Sequence, residues 1–127
     1  MNARIYTVTV LLLLLAACTS KPLVNVVDEP LGSEQSMAAV HEAIFAAGHA
    51  HGWVMKDAGS ASIVATLDVR GHHVVVNIDY STTEFSITYV DSDDMDAKNG
   101  NIHRNYNRWV NNIRVGIHTE LGLVAPS

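Results

Sequence analysis

Seven histidines are the chain's densest supply of metal-binding and acid–base side chains, and their spacing limits what they can do. His49 and His51 flank one alanine, His72 and His73 are adjacent, and His41, His103 and His118 stand apart. Zinc needs three or four N, S or O ligands held tetrahedrally. No H-E-x-x-H or comparable local motif is present, so a metal would need distant histidines folded together. The expectation is therefore no metal and no cofactor, with the histidines hydrogen-bonded at the surface. Asp91, Asp93, Asp94 and Asp96 have the composition of a calcium loop but not its pattern. Counted from Asp91, the fifth position is Met95 and the sixth is Asp96, where an EF-hand needs an oxygen ligand and a glycine. A G-x-S-x-G elbow and a Gly-rich phosphate loop are both missing. Asp68 and Asp79 are expected on one outer sheet face, but an acid–base pair needs a pocket that shifts its pKa values. These residues point to no enzyme.

Binding is the reading that remains. The densest run of specific side chains is Ile102-His103-Arg104-Asn105-Tyr106-Asn107-Arg108-Trp109. On one helix, His103 and Asn107 would share a face, as would Arg104 and Arg108, with Tyr106 and Trp109 as core anchors. Arg70, His72, His73, Asp79, His103 and Asn107 are the candidate partner- or ligand-binding residues. The outer sheet face (Thr66, Asp68, Arg70, His73, Asn77, Asp79) or the edge of the last strand is the expected contact surface.

The one cysteine, Cys18, closes the run Leu15-Ala16-Ala17-Cys18. Arg4 precedes a largely apolar stretch from Ile5 to Leu15, and small residues follow, the order of a secretory signal. The stretch is short of the roughly 20 apolar residues that span a bilayer. Its end resembles the lipobox of bacterial lipoproteins, which implies cleavage before Cys18 and acyl chains on that residue. More than one chain is what stable anchoring requires. Thr19 and Ser20 follow instead of an aspartate, which by the same resemblance implies an outer-membrane location facing the periplasm. Losing Arg4 with the signal leaves seven Lys and Arg against 13 Asp and Glu, a net charge of about −6. So acidic a chain, without a basic stripe, is a poor candidate for nucleic acid or for electrostatic docking on anionic lipid. The lipid, not the folded surface, is expected to make the membrane contact.

The elements that would position these side chains are legible in outline. Residues 1–17 are the signal, 18–32 a lipidated N-terminus and tether, 33–122 the domain and 123–127 a short tail. Pro22, Pro30 and Gly32 suggest the tether, although Asn25 to Val27 has the makings of a short strand. Ser33 is the expected cap of a first helix with Met37, Val40, Ile44 and Ala47 on its apolar face. Trp53 to Lys56 forms a short strand. Ile63, Ala65, Leu67 and Val69 then alternate with polar residues, as do Val74, Val76, Ile78 and Tyr80, and Phe85, Ile87 and Tyr89. Asp91 to Asn101 is a polar loop. Asn101 would cap a second helix with a stripe of Ile102, Tyr106, Trp109, Ile113, Ile117 and Leu121. The economical arrangement is α+β, a two-layer sandwich: a three- or four-stranded antiparallel meander with both helices on its apolar face.

Across roughly residues 40 to 118 the chain resembles a group of small, uncharacterised bacterial lipoproteins. The resemblance rests on Arg70-Gly71-His72, Ile78-Asp79-Tyr80, Phe85-Ser86-Ile87-Thr88-Tyr89 and the Ile102-His103-x-x-Tyr106-Asn107-x-Trp109 run. It implies a shared fold and an envelope location, and no activity. The expected function is thus a lipid-anchored cell-envelope protein that binds an envelope protein partner as an adaptor or accessory. The alternative is a periplasmic lipoprotein that binds a metal or small ligand through its surface histidines.

Overall fold

Strict alternation between residues 62 and 89 obliges every second side chain to one face, and the fold is built on that face. In the computed structural model, which describes residues 19–127, the chain runs in the following order. It passes through β1 (Ser20–Pro22), β2 (Val26–Pro30), α1 (Met37–Ala50), β3 (Val54–Asp57), β4 (Ser62–Val69) and β5 (His72–Tyr80). β6 (Glu84–Asp93), β7 (Asn101–His103) and α2 (Asn105–Glu120) complete it. Strands β3 to β6 are an antiparallel meander, and Ile63, Ile78 and Ile87 stand in register across its three inner strands. Ile63, Ala65, Leu67, Val74, Val76, Ile78, Tyr80, Phe85 and Ile87 are all buried.

Both helices close over that face, giving an α+β sandwich. Helix α1 contributes Val40, Ala43, Ile44 and Ala47, and α2 contributes Tyr106, Val110, Ile113 and Ile117. The helices meet closely at Gly116, where an added Cβ would lie 2.9 Å from the Ala47 Cβ. Among the described residues, the buried hydrophobic side chains run from Leu31 to Ile117 and form one cluster. Among the described residues, no helix is long and apolar enough to cross a membrane.

Four expectations are corrected. Residues 18–32 are not simply a tether, because β2 pairs with β6 as a fifth strand of the sheet and β1 pairs with β7 in a separate two-stranded sheet. Proline suggested irregular chain there, yet Pro30 ends an edge strand, where a missing N–H is tolerated. The edge strand is also bulged between Val26 and Glu29, with Asp28 at φ 48° and its N–H bonded to Ser86 Oγ at 2.9 Å.

Helix α1 is capped by Ser36, whose hydroxyl accepts from the Ala39 N–H at 3.1 Å; Ser33 instead bonds Gln35. Met37 is accordingly exposed, outside the apolar face. Helix α2 starts at Asn105, not after Asn101, because residues 101–103 are a strand and Ile102 enters the core from it. Its buried stripe therefore uses Val110, and Trp109 is only partly buried. Finally, the polar loop shrinks, since β6 continues to Asp93 and Met95 is buried.

Candidate functional site

Arg70 and Gly71 join β4 to β5, and both have positive φ, 52° and 81°. Two left-handed residues make the tight primed turn that suits the twist of paired strands. The turn leaves Arg70 exposed and sets His72 at the first position of β5. Opposite it, β7 ends at His103 and α2 begins two residues later. The turn and the strand–helix junction enclose a cavity of about 280 Å³ whose walls include Arg70, His72, His103, Arg104, Arg108 and Trp109.

Its lining side chains carry positive charge and no carboxylate, although that of Asp94 stands 3.9 Å from His72 Nδ1. Of the four arginines in the described residues, three line this cavity. None of the three is ion-paired among those residues, and Arg108 is held only by a 3.1 Å bond to the Asn105 side-chain oxygen. No acidic residue lies in the first turn of α2, and its first N–H, on Asn105, is bonded by the His103 ring, so the positive end of the helix dipole adds to the charge of the wall.

The aromatic rings stack loosely across the cavity: His72 lies 5.3 Å from His103 and 6.1 Å from Trp109, centre to centre. His72 Nδ1 donates to the Asp94 carbonyl at 2.6 Å, with the Asp94 carboxylate 3.9 Å off. His103 Nδ1 accepts from the Asn105 N–H at 3.2 Å. These bonds fix both ring orientations. Guanidinium groups present forked donors that match phosphate and carboxylate oxygens, so the arrangement is suited to holding an anion.

The six residues singled out from the sequence do not form one site. Arg70, His72 and His103 come together at the cavity. His73 points to the other face of β5, where its Nδ1 bonds Asp68 at 2.6 Å. That hydrogen bond raises its pKa above the ordinary histidine value; desolvation opposes the shift, and the charges of Asp68, Asp93 and Asp91 add to it. Asp79 lies at the far end of β5, exposed, beside a smaller hollow that also includes Asp28 and Glu84. Asn107 is committed within the chain. Its side chain accepts from the Val24 N–H at 3.1 Å and donates to the Pro22 carbonyl at 2.8 Å, holding the N-terminal segment to α2. The helix face expected for His103 and Asn107 does not exist, because His103 belongs to β7.

The remaining histidines are dispersed. His41 pairs with Asp57 at 2.8 Å, and buried His118 donates from Nε2 to Glu29 at 2.9 Å. Among the described residues, no three His, Cys, Asp or Glu side chains converge as a metal site requires. The lipidation site read at Cys18 lies outside the described residues.

Arg104 and Arg108 are expected on one helix face, toward solvent or a partner's carboxylates, and Trp109 in the core; the structure makes all three cavity walls. Their meeting with Arg70 and His72 depends on how α2 stacks against the β4–β5 turn, which no local spacing encodes. No family model matches this chain, and no curated protein matches it.

Proposed function

We propose that this chain is a lipid-anchored protein of the bacterial cell envelope, held at the outer membrane through acyl chains on Cys18, and that it works by binding rather than by catalysis. It belongs, on this reading, with the small lipoproteins that share its Arg70-Gly71-His72 and Ile102-to-Trp109 motifs. The observation that carries the binding half is the cavity of unpaired arginines in a chain whose overall charge is −5. Positive groups with no internal carboxylate recognise an anion, on a small molecule or on an acidic group of an envelope partner. The alternative use of the histidines for metal lacks a comparable cluster among the described residues: His41, His73 and His118 bond Asp57, Asp68 and Glu29, and His72 bonds Asp94.

The anchor is tested in cells by labelling with a palmitate analogue and separating membranes. Label on the wild-type chain and none on Cys18→Ser, with the variant no longer matured, is the expected result. A Cys18→Ser chain that is still processed and still sediments with membranes would remove the lipoprotein reading.

A further inference from the structure

The cavity and the proposed anchor are neighbours. The Arg104 N–H donates to the Thr19 carbonyl at 2.9 Å, and Ser20 stands in register with His103. One wall of the cavity is therefore bonded to the residue that follows position 18, and an attachment there starts a single Cα step, about 3.8 Å, from Thr19. Resting on the reading of Cys18 as the anchor, we infer that the Arg70–Arg104–Arg108 cavity grips the phosphate of an anionic phospholipid headgroup in the same membrane. The lipid and the cavity would then hold one surface at two points and fix the orientation of the domain.

Charge, size and position each favour this occupant. Whole-chain acidity does not oppose it, because charges farther away than about 10 Å are largely screened at moderate salt. The face that touches the membrane matters, and here that face holds three guanidinium groups and the N-terminal end of a helix with no acidic residue in its first turn. A volume of about 280 Å³ sits at the small end of ligand pockets, right for a headgroup and too small for a folded partner. The anchor supplies proximity, so even a weak grip is occupied. Partly buried Trp109 places an indole in the same wall, a side chain that favours the bilayer–water interface.

The test uses the chain with Cys18→Ser, which has no cysteine to acylate, so the anchor cannot contribute. Co-sedimentation is measured with vesicles of phosphatidylcholine alone and of phosphatidylcholine mixed with phosphatidylglycerol. Inorganic phosphate is titrated in parallel, read by the change in tryptophan fluorescence, to which Trp109 in the cavity wall and the distant, buried Trp53 both contribute. The expected result is retention by the phosphatidylglycerol vesicles only, falling with salt, and weakened about fivefold by each of Arg104→Gln and Arg108→Gln. Arg70→Asn, which suits the positive φ, should act alike, and Lys56→Gln on exposed β3 should change nothing. All four variants should keep the wild-type circular dichroism.

A fluorescence response to phosphate without retention by either vesicle would make this a free-anion site and overturn the membrane assignment. No response to either probe, or an equal loss in Lys56→Gln, would overturn the cavity itself. Palmitate labelling at Cys18 is read separately, so failure of the anchor and failure of the cavity cannot be confused.

Discussion

Helix α2 bears arginines near both ends, and the two ends use them in opposite ways. Toward its C-terminal half, Arg114 Nη1 donates to both Glu29 carboxylate oxygens at 2.9 and 3.1 Å, and His118 donates to the same carboxylate. Those side chains are 19%, 14% and 1% exposed, so the charges are neutralised beneath the edge strand β2. At the N-terminal end, Arg104 and Arg108 meet Arg70 with no carboxylate paired to any of them. The same residue type is structural where the fold supplies its counter-ion and available for a ligand where it does not. Absence of an internal partner, more than the number of charges, separates the two regions.

That contrast predicts very different costs. Glu29→Ala would leave Arg114 and buried His118 facing each other without a carboxylate. Breaking such a pair by removing one partner costs about 3 kcal/mol. Arg108→Gln, by contrast, should change stability by less than about 0.5 kcal/mol. Urea denaturation of the two variants measures both, and equal losses would erase the distinction between the ends of the helix.

A middle case is Asn107, which sits on the first turn of α2 beside Arg108 and holds the N-terminal segment by two bonds. Asn107→Ala should cost about 1 to 2 kcal/mol and speed amide exchange at Val24 more than in the core strands. If exchange at Val24 stays slow, β1 and β7 hold that segment without help from α2.

The smallest effect lies on the outer sheet face. His73 has its pKa raised above the ordinary value of about 6.5 by its bond to Asp68. A histidine whose folded pKa is raised contributes its stability fully below the unfolded value and loses it as pH climbs through the folded one. Stability should thus decline slightly across that window, and Asp68→Asn should flatten the decline and return the His73 titration, followed by NMR, toward the ordinary value. Because the pair is solvent-accessible, a large decline would have to come from another group.

Different parts of the molecule were legible to different degrees. The alternation in β4, β5 and β6 marked nearly every inward residue, since a buried sheet face leaves no freedom in the period of two. The apolar face of α1 was equally plain at Val40, Ile44 and Ala47. Residues 101–104 were misread because Ile102 falls four before Tyr106, a helical spacing that a strand ending in the core satisfies just as well. Strand β2 was legible only in part, at Asn25 to Val27, for a different reason: its edge position tolerates proline and a bulge, so it lacks the alternation that identifies inner strands. The cavity was half visible, in Arg70, His72 and His103; that Arg104 and Arg108 complete it follows from the stacking of α2 on the β4–β5 turn.

Sequence alone determined the class of the fold and the inner faces of its sheet and helices. Those properties are written in local periodicity and in the order of residue types, which act over a few neighbouring positions. Only the tertiary structure decided that Glu29 meets Arg114 and His118, some 85 positions on, and that Arg70 meets Arg104 and Arg108. Pairing across such distances depends on how strands and helices stack, and a side chain's charge becomes structural or functional only once its neighbours in space are chosen.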